Sequence, residues 1–77
     1  MRPEIELFAQ AMENTMKKHD KKKGDSWKTC DILFLEDKLI KEVEEYLDSR
    51  DKKELVDIAN MCMMLYNRKL DLILNRM

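Results

Sequence analysis

The sequence predicts an all-α protein whose three helices form a single domain over residues 1–77. Apolar residues recur three and four positions apart in each long segment, as they do in amphipathic helices. No segment alternates apolar and polar residues in the manner of a strand, and no Asn-Gly or Asp-Gly hairpin is present. The stretch Asp48-Ser49-Arg50-Asp51 has the residues of a tight turn and separates two helical segments.

The first predicted helix covers residues 3–18, because a proline is tolerated in a first helical turn. One stripe of apolar residues at helical spacing is predicted to pack on the rest of the protein: Ile5, Phe8, Met12 and Met16.

The second predicted helix begins near residues 29–31 and ends near Leu47 or Asp48. Ser26 or Thr29 is its predicted N-cap, since a hydroxyl can accept a hydrogen bond from the free amides of the first turn.

The third predicted helix covers residues 51–75 and is apolar on most sides between residues 55 and 66, where only Asp57 and Asn60 are polar before the final tyrosine. Such a helix must be enclosed by several neighbours. A chain of 77 residues has too few helices to enclose it. We therefore expect a homodimer or homotetramer with a four-helix core.

Composition and charge exclude several classes of protein. The net charge of −1 gives no bulk electrostatic basis for binding nucleic acid. No apolar run approaches the ~20 residues of a membrane span, and the N-terminus lacks the apolar stretch of a signal peptide. Cys30 and Cys62 lack metal-ligand spacing and are expected to be reduced thiols. These features predict a cytoplasmic protein that contacts neither nucleic acid nor membrane.

The two helices around the turn carry four carboxylates at mirrored distances from it. If the turn is centred on the bond that follows Ser49, residues whose numbers sum to 99 lie at the same level on two antiparallel helices. Glu45 then faces Glu54, and Glu42 faces Asp57. Residues three apart on one helix are surface neighbours. The four acids are therefore predicted to lie close together.

Such a cluster repels itself, by roughly 3 kcal/mol for a pair of carboxylates about 5 Å apart at an effective dielectric near 20. A divalent cation would relieve the repulsion. Carboxylate oxygens suit Mg²⁺ or Mn²⁺, whereas zinc sites usually include cysteine or histidine. The only histidine, His19, is distant from the acids in sequence.

Structural explanations compete with this metal site. Asp51 and Glu54 have the spacing of a capping box, and Glu42 and Glu45 could be solvated or paired with nearby cations. Asp57 fits these explanations least well, because an unpaired charge in an apolar helix costs several kcal/mol. The alternative function is a non-catalytic helical dimerisation module that keeps the acids as surface charge. A di-iron bundle would require Glu-x-x-His pairs, which the sequence lacks.

The segment 19–28 contains the only glycine and the only tryptophan, and lysines concentrate around its first half. It is either a solvated loop or a flap over the site. In the second interpretation Lys21, Lys22 and Lys23 contact phosphates, and Trp27 stacks on a base or closes a pocket. Trp27 could equally cap the core.

The acids also carry a family resemblance. Glu42-Val43-Glu44-Glu45 followed by Glu54-Leu55-Val56-Asp57 resembles the ExxE…ExxD signature of the MazG-like all-α NTP pyrophosphohydrolases, which include dimeric dUTPases and dCTP pyrophosphatases. Leu39-Ile40 before the first motif and the apolar residues 58–65 after the second also match. Residues 8–27 are similar to the short MazG-like proteins of phages and bacteria.

The resemblance implies that Glu42, Glu45, Glu54 and Asp57 bind Mg²⁺. It also implies that the protein cleaves a nucleoside triphosphate, (d)NTP, to (d)NMP and pyrophosphate, which would control the nucleotide pool. The second helix has a predicted apolar stripe that consists of Ile32, Leu35, Leu39, Val43 and Tyr46. Glu45 lies furthest from this stripe and is our candidate for the group that accepts a proton from the attacking water. Asn60 is the candidate for a contact to sugar or phosphate.

Overall fold

The computed structural model describes residues 1–22 and 24–75, with side chains up to residue 72. Its three long helices are α1 (Pro3–Asp20), α2 (Ile32–Ser49) and α3 (Lys52–Asn75), and a short 3-10 turn (Ser26–Lys28) precedes α2. The described residues contain no strand. The predicted all-α class with three helices is therefore confirmed. The predicted helix boundaries lie within a few residues of the observed ones.

The N-cap of α2 differs from the prediction. Asp31 is the cap, and its side chain accepts a hydrogen bond from the Leu33 amide at 2.9 Å. Ser26 and Thr29 are instead engaged in the preceding 3-10 turn, where the Ser26 carbonyl accepts from the Thr29 amide at 3.2 Å. Because α2 begins at Ile32, Asp31 occupies the N-cap position, and Ser26 and Thr29 lie too early in the chain to cap it.

A turn with capping hydrogen bonds on both sides joins α2 to α3. Arg50 adopts the left-handed conformation with φ of 58°, and its amide donates to the Tyr46 carbonyl at 2.7 Å. The Asp51 amide donates to Ser49 Oγ at 3.1 Å, and Asp51 Oδ1 accepts from the Lys53 amide at 2.9 Å. These bonds satisfy backbone groups that both helix ends would otherwise leave unpaired. The turn thereby fixes the register of α2 against α3.

The small core lies along the α2–α3 contact. Among the described side chains, Leu35 and Met61 are the only buried apolar ones, with 2% and 7% of their surface exposed. Asn60 lies beside them and is also buried. The described residues therefore form a small hydrophobic core for a chain of this length.

Helix α1 packs on α3 but contributes no buried side chain. The predicted packing stripe holds only in its second half: Met12 and Met16 are half-buried, whereas Ile5 and Phe8 are exposed. Since one chain supplies three long helices, a four-helix bundle is not the architecture of the single chain. No helix within the described residues has both the length and the apolar character needed to cross a membrane.

The left-handed conformation of Arg50 predicts how substitutions at this position change the free energy of unfolding. A left-handed backbone costs a residue with a Cβ roughly 1 kcal/mol more than glycine. Arg50→Gly should therefore be about 1 kcal/mol more stable than Arg50→Ala, or about 4–8 °C in melting temperature for a chain of this size. Both variants lose the hydrogen bond from Arg50 Nε to the Leu47 carbonyl, so the comparison isolates the backbone. Thermal unfolding followed by circular dichroism measures it, and equal stabilities would contradict the assigned conformation.

Candidate metal centre

Three carboxylates from two helices meet near the α2–α3 turn. One oxygen each from Glu42 on α2 and from Glu54 and Asp57 on α3 all lie within 4.8 Å of one another. All three residues are half-buried. The capped turn places Glu42 level with Asp57, and Glu54 lies one helical turn away from Asp57.

Glu45, the fourth predicted ligand, lies at the exposed edge of this cluster. It is not among the three residues whose oxygens converge, but its charge acts on two of them. Burial, followed by the charges of Glu45 and Asp57, raises the pKa of Glu42, and the Lys38 ammonium opposes part of that rise. Partial burial together with Glu45 and Asp57 likewise raises the pKa of Glu54. The carboxylates therefore repel one another in the absence of a cation.

Two of the structural explanations, the capping box and the ion pairs, are not seen among the described residues. In a capping box Glu54 would accept the Asp51 amide, but that amide donates to Ser49 Oγ. Within the described part of the chain, the ion pairs are Lys28 with Asp25 and Lys53 with Asp51, and neither includes an acid of the cluster. Among the described residues, no lysine or arginine therefore forms an ion pair with the cluster.

The three converging oxygens suit a hard divalent cation. Ligand oxygens of an octahedral Mg²⁺ are about 3 Å apart when adjacent and about 4.2 Å apart when opposite, so the three oxygens, which lie within 4.8 Å of one another, would draw closer together on binding the ion. Carboxylates without cysteine or histidine favour Mg²⁺ or Mn²⁺ over zinc. Glu42, Glu54 and Asp57 would hold the ion, and Glu45 lies outside this set but close enough for its charge to act on Glu42 and Glu54.

A cavity of about 200 Å³ adjoins the cluster and is lined by all three helices and the loop before α2. Glu42 and Asp57 line it, so the candidate metal centre and the cavity share two side chains. Its other walls include Thr15, Met16 and His19 from α1, Gly24, Trp27 and Cys30 from the loop, Phe34, Leu35 and Lys38 from α2, and Asn60, Met61 and Met64 from α3.

Two polar atoms beside this cavity are buried without a hydrogen-bond partner in the residues that the structure describes: Asn60 Oδ1 and Trp27 Nε1. The amide of Asn60 uses its other end, Nδ2, to donate to the Met12 carbonyl at 3.3 Å. Leaving a buried polar atom unpaired costs about 1–3 kcal/mol. One of these atoms is an acceptor and the other a donor, and both belong to residues that line the cavity.

Two of the three loop lysines that were candidates for phosphate contacts do not line the cavity. Lys21 and Lys22 are exposed and lie outside the cavity walls, and Lys23 lies outside the described residues. The lysine that lines the cavity is Lys38, joined by His19 from the end of α1. Lys38 precedes Glu42 by four residues, one helical turn, and that spacing could have identified it. No sequence signal placed His19 there, because its position depends on how α1 packs.

Comparisons of the chain with protein-family models, with curated proteins and with solved structures found no match. The likeness to the MazG-like family therefore remains a prediction from the ExxE…ExxD spacing.

The raised pKa values predict how the cluster affects stability as pH changes. A folded carboxyl whose pKa exceeds its ordinary value of 4.5 binds a proton that the unfolded chain has released, so its stabilisation is lost as pH rises above about 4.5. Without divalent cations, Glu42→Gln should therefore match wild type near pH 4 and melt a few degrees higher at pH 7. Thermal unfolding in EDTA at both pH values measures the difference. Glu44→Gln, an exposed position on the same helix, should show no gain, and a Glu42→Gln variant less stable than wild type at pH 7 would contradict the repulsion.

Proposed function

We propose that the protein is a Mg²⁺- or Mn²⁺-dependent nucleoside triphosphate pyrophosphohydrolase of the cytoplasm, which cleaves a (d)NTP to the monophosphate and pyrophosphate. One observation carries the proposal: the carboxylate cluster and an aromatic, partly basic cavity share Glu42 and Asp57 as walls. A metal–triphosphate needs carboxylates for the cation, basic groups for phosphate and an apolar surface for the base, and this arrangement supplies all three.

Each residue of the candidate site is assigned a role in the proposed reaction that its side-chain chemistry allows. A bound divalent cation would neutralise phosphate oxygens and lower the pKa of a water molecule. Lys38 and His19 are the groups that can donate to phosphate oxygens within the cavity. The ring of Trp27 offers a stacking surface, and Asn60 Oδ1 can accept a hydrogen bond from the sugar or the base. Exposed Glu45, outside the converging set, is the proposed acceptor of the water's proton.

The site of cleavage, between the α and β phosphates, is proposed from the resemblance of the two acidic motifs to the pyrophosphohydrolase signature. In-line attack there leaves pyrophosphate as one intact product. Orthophosphate would be the direct product of attack at the γ phosphate instead. The identity of the product therefore tests the assignment directly.

We also propose that the active form is a homodimer or homotetramer, and the exposed area supports it. A folded monomer of 9.3 kDa is expected to expose about 5,000 Å², whereas this chain exposes 6364 Å². The excess is roughly 1,400 Å² per chain. Two chains that each covered this excess would bury roughly 2,800 Å², which falls in the range of obligate interfaces.

A second apolar stripe on α2 marks the surface that we propose to be covered. Leu33, Ile40 and Leu47 recur every seven residues and are 66%, 58% and 53% exposed. At 100° per residue they fall within about 40° of one another on the helix. This repeat is the one by which helices pair along a seam. A second α2–α3 hairpin packed against it would complete a four-helix core.

The catalytic proposal predicts a specific product and a specific loss. Assayed with Mg²⁺ against a panel of NTPs and dNTPs, the wild-type protein should release pyrophosphate, not orthophosphate. Asp57→Asn should lower the rate by at least about a hundredfold, because even outer-shell partners of metal ligands contribute ten- to hundredfold. Asp37→Asn, an exposed aspartate on α2, is the matched control and should retain wild-type activity.

Two results would reject the enzyme: orthophosphate as the direct product, or an Asp57→Asn variant with wild-type turnover. An intact dimer that shows no turnover with any nucleotide would favour the alternative, a non-catalytic helical dimerisation module.

The oligomer is tested by a charge placed on the proposed seam. Sedimentation equilibrium should give twice or four times the 9.3 kDa of one chain for wild type. Ile40→Lys should give the monomer, because burying an unpaired ammonium in an apolar seam costs several kcal/mol. Leu7→Lys, at an apolar position of α1 that is 77% exposed, should leave the wild-type mass unchanged. A monomeric wild type at micromolar concentration would contradict the proposal.

A further inference from the structure

One side chain of α3, Arg68, forms two hydrogen bonds with the loop that carries Trp27. Arg68 Nη1 donates to the Trp27 carbonyl at 2.9 Å and to the Cys30 carbonyl at 2.7 Å. Arg68 therefore links α3 to the loop between α1 and α2.

The two carbonyls are available because of the local fold. The amides of Thr29 and Cys30 both donate to the Ser26 carbonyl, which leaves the Trp27 and Cys30 carbonyls without a backbone donor at the end of the 3-10 turn. A guanidinium has fixed, charge-assisted donors and suits such a pair of acceptors. Among the described residues Arg68 forms no ion pair with a carboxylate, so these carbonyls are the groups that meet its charge.

We infer that Arg68 is a positioning residue that holds Trp27 against the cavity beside the carboxylate cluster. Trp27 is half-buried, lines the cavity and keeps its Nε1 buried there. Its loop follows Gly24, whose positive φ of 50° suits a glycine and allows the chain to turn back toward α3. Loss of the Arg68 hydrogen bonds frees the segment to move away from the cavity and weakens the binding of any ligand that contacts Trp27. The inference rests on the proposed function only for the identity of that ligand.

Trp27 is the only tryptophan, so its fluorescence reports this wall of the cavity alone. Acrylamide quenching is compared in wild type, Arg68→Met, Arg68→Lys and the control Lys69→Met, whose side chain is exposed. Circular dichroism verifies that each variant keeps its helices. Quenching should increase in Arg68→Met, increase less in Arg68→Lys, which keeps a cation, and equal wild type in Lys69→Met.

Unchanged quenching in a folded Arg68→Met variant would overturn the inference. If Arg68→Met does not fold, Arg68→Lys decides, since it keeps the charge and loses only the shared geometry of the two hydrogen bonds. Quenching in Arg68→Lys equal to that in Lys69→Met would then overturn the inference.

A second measurement uses the proposed substrate. For the nucleotide that wild type cleaves best with Mg²⁺, Arg68→Met should raise KM roughly tenfold, the factor equivalent to a charge-assisted hydrogen bond, and change kcat less. A loss of kcat at constant KM would contradict a positioning role. A wild-type protein without turnover would reject the proposed function, whereas the quenching comparison needs no nucleotide and would still decide the role of Arg68.

Discussion

The turn at Arg50 is the constraint on which the rest of the structure depends. Its capping hydrogen bonds fix the end of α2 and the start of α3, and they thereby set the register between the two helices. That register brings Leu35 and Met61 into the core and places Glu42 beside Asp57. A slip of one residue would rotate every side chain of α3 by about 100° and separate the acids. The same few hydrogen bonds therefore determine both the fold of the hairpin and the geometry of the cluster.

Unfavourable interactions are concentrated around one cavity of about 200 Å³. Repelling carboxylates lie there together with a buried amide oxygen and a buried indole N–H that have no hydrogen-bond partner among the described residues. Native proteins pair most buried polar groups, so unpaired groups gathered in one place indicate a ligand that completes them. A divalent cation would neutralise the carboxylates, and a polar ligand would form hydrogen bonds with Asn60 and Trp27. This concentration of unmet interactions favours a binding site over a surface that only carries charge.

Local patterns predicted the helices, their approximate ends and the level of Glu42 with Asp57, because helical period and turn chemistry are short-range properties. They did not predict the N-cap at Asp31, the exposure of Ile5 and Phe8, or the cavity wall formed by Lys38 and His19. These features depend on how α1 and the loop pack on the hairpin, which a single sequence does not encode locally. The bond from Arg68 to Trp27, 41 residues apart, belongs to the same group.

Binding of Mn²⁺ followed by electron paramagnetic resonance tests the central claim most directly, because the free ion gives a strong signal that is lost on coordination. Wild type should bind at least one Mn²⁺ ion and so reduce the signal of free Mn²⁺, and added Mg²⁺ should restore that signal by competition. Glu42→Gln and Asp57→Asn should each weaken binding by at least about tenfold, and Glu44→Gln should bind as wild type does. Two results would contradict the claim that α2 and α3 share a divalent cation. One is a wild-type protein that leaves the free Mn²⁺ signal undiminished. The other is a Glu42→Gln or Asp57→Asn variant that diminishes the signal as much as wild type does.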